Sequence, residues 1–411
     1  MSTIIQYSTP SPLFDSSTFL ESSLAVLCLP SNYHYPDIEK TVAFLKAYQG
    51  SQGTFNAYRR EVERLLHWSA CIVKKSLTQL NRADVENFVE FCRKPPRNWI
   101  GTQKYSRFCL KDGIRQPNPN WRPFVVTISK AAYRKGQTPE IKNFALSETA
   151  LRELLAILSS FYAFLQQEEY VGVNPVALIR QKSKFIRRHQ TIRQIRRLSE
   201  LQWNYVIETA EKLAQKNPKK HERTLFIMSI LYAMYLRISE LAASARWTPL
   251  MSHFFRDQHN HWWFVTVGKG NKERQVAVSD AMLSALKRWR NHLNLSSLPS
   301  PADQSPLLPK TKGKGSIKSI NYLRRIVQHC FDEAIARLTT DSFTEEAESL
   351  IEATVHWLRH TGISDDVKRR PREHVRDDAG HSSSAITDRY IDIELVERHE
   401  SAKNKPIEGD D

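Results

Sequence analysis

From about residue 36 the apolar positions along the chain fall into helical spacing. Thr54 stands where it can cap a segment in which Tyr58, Val62, Leu65 and Leu66 recur at i, i+4, i+7 and i+8, one face of a helix. Asn81 can cap a second segment, with Val85, Phe88 and Val89 turned inward. A third, starting near Ser147, carries Leu151, Leu154, Leu155, Leu158, Phe161, Tyr162 and Leu165. These segments predict a small all-α domain over 35–179. Residues 1–34 are rich in Ser, Thr and Pro without a sustained period, and are expected to form a poorly ordered arm.

Residues 95–145 interrupt the pattern with Pro95, Pro96, Pro117, Pro119, Pro123 and Pro139. The same stretch interleaves bases and rings: Arg97, Trp99, Lys104, Tyr105, Arg107, Arg115, Trp121, Arg122, Tyr133, Arg134 and Lys135. A solvated basic loop and a nucleic-acid-contacting insertion explain it equally well. Asn174 and Pro175 close the helical domain, and a dense charge run follows over 180–197. Its bases are Arg180, Lys182, Lys184, Arg187, Arg188, Arg193, Arg196 and Arg197. Such a run can be a self-repelling linker or a strap that follows phosphates.

A second domain is expected over 198–395, opened by a capping box of Ser199 and Gln202. The apolar segment from Leu225 to Leu241 reads as buried. Two β-rich runs, His261 to Val267 and Gln275 to Ser279, flank a turn holding Gly268 and Gly270 and predict a hairpin. Helices alternating with loops follow, with an acidic stretch at 341–352 and a C-terminal tail over 396–411. The fold class is therefore mainly α with a small β-hairpin, α+β.

Charge sharpens this picture. Lysine and arginine total 60 against 44 acidic residues, a formal charge of +16. A field of that sign favours a polyanion, because each neutralised phosphate releases condensed counterions. Nucleic acid leads, and the basic run then reads better as a strap. The five cysteines, Cys28, Cys71, Cys92, Cys109 and Cys330, form no CxxC pair, which points to reduced residues of a cytoplasmic protein and to no metal site. No apolar run approaches the roughly 20 residues of a membrane-spanning helix, and the N-terminus lacks a secretory pattern.

Five short elements of the second domain carry candidate chemistry. Arg237 ends a buried apolar segment, where a guanidinium must meet an anion, either Glu240 or a phosphate. Lys269 lies between two glycines at the hairpin turn, with Lys272 as a competitor. His356 and Arg359 share a helical face at a spacing of three. Gly380 precedes His381, and Tyr390 follows nine residues later.

In that order, with words such as Arg237-Ile-Ser-Glu-Leu241, Val267-Gly-Lys-Gly-Asn-Lys-Glu-Arg274 and His356-Trp-Leu-Arg-His-Thr361, the set resembles the tyrosine recombinase (phage integrase) family. The resemblance implies a helical core-binding domain and a catalytic domain forming a C-shaped clamp on double-stranded DNA, working as a homo-tetramer on two sites. It implies that Tyr390 attacks a phosphodiester and leaves a 3′-phosphotyrosine. Arg237 and Arg359 would grip the non-bridging oxygens, Lys269 would protonate the departing 5′ oxygen, His356 and His381 would complete the pocket, and Glu240 would orient Arg237. No cofactor, metal or ATP enters, although DNA-bending accessory proteins are possible partners. The chemistry fits these roles. Forked guanidiniums match the oxygens that gain charge, and a phenol of pKa near 10 needs a base or a strongly positive pocket.

The interval 361–379 departs from the family's apolar helix, being polar and broken by Pro371. It is expected either to turn its charge to DNA or to pack on a partner subunit, with 391–411 a second candidate for subunit contact. With the insertions at 95–145 and 341–352, it marks a divergent, mobile-element branch. A dimer resolvase, a type IB topoisomerase and a non-catalytic DNA-binding relic are the rival readings.

Overall fold

The computed structural model describes residues 8–20, 32–177, 179, 196–268, 270–388, 390 and 402–403. The chain divides into two compact units, 1–191 and 192–411, each with its own hydrophobic core. Among the described residues no helix is long and apolar enough to cross a membrane.

In the first unit the helical spacing becomes α1 (Tyr35–Lys46), α2 (Gln52–Trp68), α3 (Arg82–Arg93), α4 (Lys130–Arg134) and α5 (Glu148–Gln167). The α2 helix starts earlier than expected. Ser51 is its N-cap, and Thr54 lies in the first turn with its hydroxyl 2.9 Å from that of Ser51. Asn81 caps α3 through a box with Asp84, and the Ser147 side chain accepts from the Ala150 N–H. Each such cap is worth about 1 kcal/mol. Val62, Leu65, Phe88, Leu155 and Phe161 fill the core between these helices.

The arm expected over 1–34 is corrected over 8–20, while 1–7 and 21–31 lie outside the described residues. Leu13, Phe14 and Leu20 are buried. The buried Glu63 carboxylate accepts from the N–H groups of Leu13 (2.7 Å) and Phe14 (3.2 Å), and the Trp99 indole N–H donates to the Ser8 carbonyl. A low-complexity stretch is thus held by a carboxylate some fifty positions away.

The insertion is likewise part of the body of this unit. Strand β1 (Ile100–Gly101) pairs in parallel with β4 (Phe124–Val125), and β2 (Phe108–Lys111) with β3 (Ile114–Pro117) antiparallel. Trp99 and Trp121 are buried. Arg107 pairs with Glu63 and lies 4.9 Å over the Trp121 ring, and Arg115 pairs with Asp15. Trp99, Arg107, Arg115 and Trp121, four of the eleven interleaved residues, are therefore internal glue. Lys104, Tyr105, Tyr133, Arg134 and Lys135 stay exposed.

The second unit holds α6 (Glu200–Lys216), α7 (Pro218–Ala233), α8 (Asp280–His292), α9 (Ile320–Thr340), α10 (Thr344–Ile351), α11 (Val355–Asp366), α12 (Arg372–Ala379) and α13 (Ser384–Asp388). Ser199 and Gln202 form the expected capping box. Strands β5 (Phe254–Arg256), β6 (Trp262–Val267) and β7 (Glu273–Ala277) make an antiparallel sheet in that order, one strand more than the predicted hairpin. The apolar α7 lies at the centre, packed by α6, α8, α9 and α11. A glycine is required where α11 crosses it, since a Cβ at Gly362 would collide with the Tyr232 carbonyl oxygen.

The acidic stretch is also structural. It forms α10, buries Ala347 and Leu350, and accepts from the hydroxyls of Ser199 at Glu346 (2.9 Å) and Tyr205 at Asp341 (2.6 Å).

Candidate active site

The site is built where α7 ends, the β6–β7 turn closes, and α11 and α12 meet. After α7 the chain reverses at Tyr235, a non-glycine residue with φ of 50°. That conformation costs roughly 1–2 kcal/mol. It is held by contacts on both sides: the Tyr235 carbonyl accepts from Arg359 Nη1, and its hydroxyl donates to Asp366 and accepts from Arg370 (3.1 Å).

Two residues on, Arg237 bonds Glu240 twice, from its backbone N–H to Oε2 (3.0 Å) and from Nη1 to Oε1 (3.0 Å). The Arg237 side chain is still 29 % exposed, whereas that of Glu240 is 2 % exposed. Arg274 grips the same carboxylate with both Nη atoms, at 2.9 and 2.7 Å. Burial works against the Glu240 charge, but Arg274 and Arg237 more than offset it and hold the carboxyl below its usual range. Of the two sequence alternatives for Arg237, the pairing with Glu240 is present, and the side chain keeps a part-exposed edge.

Arg359 projects from α11 into the interior. Its Nη2 donates to the Ala379 carbonyl (2.6 Å) and lies 3.3 Å from His381 Nε2. Burial, reinforced by the positive charges of Arg237 and Arg274, pushes its pKa down to about 9. Two guanidiniums thus grip one carboxylate and a third lies within its electrostatic reach, a surplus of positive charge beside the part-exposed Arg237. An anion relieves it.

Gly380 ends α12 in the left-handed conformation, with φ of 64°, and aims His381 back at this cluster. His381 Nδ1 lies 2.9 Å from the Thr387 hydroxyl, and its ring stacks on Tyr390 at 5.6 Å and 19°. Burial, with Arg359, Arg237 and Arg274, lowers the imidazole to about 4, so it is neutral at pH 7. A neutral ring accepting from Arg359 at Nε2 carries its proton on Nδ1, where it donates to Thr387. Tyr390 is 7 % exposed and packs with Tyr235, Ile363, Val375 and Ala379 of its own chain.

The remaining expected residues distribute unevenly. His356 is exposed on α11, its ring 4.3 Å from that of His360. Lys269 lies outside the described residues. Its neighbour Gly268 packs so closely that a Cβ there would sit 3.0 Å from Arg274 Nη1 and 3.3 Å from Arg237 Nη1. Lys272 is exposed, and its carbonyl accepts from the Gly268 N–H (2.8 Å). Of the basic run, Arg180, Lys182, Lys184, Arg187, Arg188 and Arg193 lie outside the described residues. Arg196 is exposed, and Arg197 reaches Asp365 at 4.0 Å.

Part of the polar interval 361–379 is satisfied within its own unit, while Lys368, Arg369, Arg372, Glu373, His374 and Asp377 stay exposed. Pro371 caps α12, and the satisfied charges meet inside the unit: Asp365 accepts from the Tyr232 hydroxyl (2.8 Å), and Arg370 pairs with Asp378 (2.6 Å) and Asp366 (3.5 Å).

Two residues given no role from the sequence belong to the site. Arg274 shares the inward face of β7 with the buried Val276, a period-two signal that marks it as an inward arginine. His360 meets the Tyr390 ring edge-on at 5.4 Å, and its Nδ1 lies 3.1 Å from the Arg196 carbonyl. Its spacing of four from His356 put it on the same face.

Residues 196–395, which contain every one of these elements, match the model of the phage integrase family. The second unit is a phage integrase domain. Beyond this integrase domain, the chain is 24% identical over 259 residues to the tyrosine recombinase XerC of Pediococcus pentosaceus, covering 62% of this chain and 75% of that protein. XerC of Chlorobaculum parvum is 22% identical over 250 residues, covering 58% and 67%. In fold, the chain resembles a post-cleavage complex of the XerH site-specific recombinase with difH (TM-score 0.56, 14% identity, covering 97% of this chain and 99% of that one). The pre-cleavage XerH complex is similar at a TM-score of 0.51.

Proposed function

We propose that this integrase is a site-specific DNA recombinase whose Tyr390 attacks a DNA phosphodiester to leave a 3′-phosphotyrosine. The observation that carries the reading is the buried Tyr390 ring, stacked on His381 at the edge of the surplus-positive cluster of Arg237, Arg274 and Arg359. In the proposed step the Tyr390 Oη–P bond forms and the P–O5′ bond breaks. Arg237 offers its open edge, and Arg359 its positive charge, to the oxygens that gain charge. Lys269 is assigned the proton for the 5′ oxygen, while His356, His360 and His381 line the route for the phenolic proton. Glu240 fixes Arg237. Because the phosphotyrosine retains the energy of the broken bond, a new 5′ hydroxyl can reverse the step without ATP.

Double-stranded DNA is the partner, and two cleavages on each of two duplexes call for a tetramer. Lys272, Arg196, the basic run and the exposed bases Lys104, Arg134 and Lys135 are the proposed backbone contacts. The test is a nicked substrate carrying the target site. The Tyr390→Phe variant should bind it and form no covalent adduct, and an adduct with that variant would sink the assignment. No divalent ion takes part in the scheme, so adduct formation should continue in EDTA; a strict Mg²⁺ requirement would contradict it.

A further inference from the structure

Among the described residues, Arg274 ties together the segment after α7, the β6–β7 turn and the end of α12. Its two Nη atoms take both oxygens of Glu240, which holds Arg237. Its Nε donates to the Asp378 carbonyl (2.9 Å), two residues before the Gly380 turn that presents His381. Both glycines beside proposed catalytic residues pack on it. A Cβ at Gly380 would lie 2.8 Å from Arg274 Cδ, and one at Gly268 would lie 3.0 Å from Nη1. The sheet adds a second tie in the same direction, since the Ala277 N–H of β7 donates to Asp378 Oδ1 (3.3 Å). The Arg274 side chain is only 9 % exposed, with each nitrogen already engaged.

We propose that Arg274 is a positioning residue for DNA cleavage: it sets Arg237 through Glu240 and His381 through the Asp378 carbonyl, fixing the distance between the two sides of the phosphate site without touching DNA. This rests on the reading of Tyr390 as nucleophile. Only a guanidinium can do it, because the three acceptors lie in the directions of a planar fork and a lysine has a single nitrogen. Its charge also joins those of Arg359 and Arg237 in keeping His381 neutral.

The experiment compares Arg274→Ala, Arg274→Lys and the double variant Arg274→Ala/Glu240→Gln with the unmodified chain. Single-turnover adduct formation on the nicked substrate, gel-shift affinity for it, and thermal unfolding are read in parallel. Arg274→Ala should slow adduct formation by about a hundredfold, the scale of a misplacement of about 1 Å, while affinity changes little. Added guanidinium should restore part of the rate, and Glu240→Gln in that background should cost little more, since the two act as one unit. Arg274→Lys keeps the charge and loses the fork, so it should be slow while still unfolding cooperatively well above the assay temperature; this variant decides the matter if the alanine variant does not fold. Full-rate cleavage by Arg274→Lys, or losses that multiply in the double variant, would overturn the proposal. Tyr390→Phe, run alongside, separates the two levels: an adduct with that variant removes the underlying site, whereas slow Arg274 variants beside an inert Tyr390→Phe support both.

Discussion

Arginines enter the interior of both units, and the two do opposite things with them. In the insertion of the first unit Arg107 pairs with Glu63, and Arg115 with Asp15. The charges cancel, the aromatic rings close over them, and the result fastens residues 8–20 and the insertion to the helices. At the site of the second unit Arg237 and Arg274 share the carboxylate of Glu240, and the buried Arg359 adds a third charge that feels that carboxylate without a bond to it. The positive charge left over is what marks an anion site. Basic character alone does not distinguish the two, since the insertion is as rich in bases as the site is. A buried guanidinium bonded to carbonyls and a neutral imidazole, as Arg359 is, does.

The largest expected effect tests that surplus. Arg237→Ala and Arg359→Ala should each slow adduct formation by about a hundredfold or more, as loss of a positioned donor to a developing oxyanion does. Arg359→Ala should also lower the melting temperature, because it leaves the Tyr235 and Ala379 carbonyls without their donor. Arg237 is part-exposed and bonds only Glu240, so its alanine variant should remain folded. Near-normal cleavage by either variant would break the comparison.

The complementary experiment is made in the first unit. Arg107→Ala leaves the Glu63 carboxylate buried without its cation, a change on the order of 3–5 kcal/mol when a buried pair is broken. Chemical denaturation should show that loss, while the adduct yield per bound complex stays within about twofold, since no catalytic group is touched. A specific loss of cleavage with unchanged stability would mean that the paired arginines of the insertion also serve the reaction.

What could be read in the sequence follows from how local each signal is. The caps at Asn81, Ser147 and Ser199 and the apolar faces they open are written within one or two turns, and they stand as expected. The order of Arg237, Glu240, His356, Arg359, His381 and Tyr390 was legible because each sits in a short motif. The docking of residues 8–20 was not, since its anchor is Glu63, distant in sequence. Part of the polar interval 361–379 was hidden for the same reason. Its Asp365, Asp366 and Arg370 find partners at Tyr232, Tyr235 and Asp378, and a charge count carries no record of partners. Arg274 was overlooked because a turn-proximal arginine in a basic word looks like surface, until the strand register places it beside Val276.

The smallest expected effect is one of pH, and it sharpens the comparison through two histidines. His67 in the first unit is fully buried, and burial, aided by Arg107 and opposed by Glu63, lowers it from 6.5 to about 4. His381 in the second unit is lowered to about 4 as well, by burial and by three arginines. For both, the unfolded chain takes up a proton below about 6.5 while the folded chain does not until about 4. Stability is therefore full above that window and falls as pH drops through it. The causes differ, and so should the remedies. His67→Phe removes a proton site in a sealed pocket and should flatten the fall in melting temperature between pH 6.5 and 4, with cleavage at pH 7 little changed. His381→Phe should flatten it too, but at the cost of cleavage, because the same neutral ring takes the hydrogen bond of Arg359 and stacks on Tyr390. An acid slope indifferent to His67→Phe would mean that the buried carboxylates, Glu63 first among them, set the acid limit of the first unit.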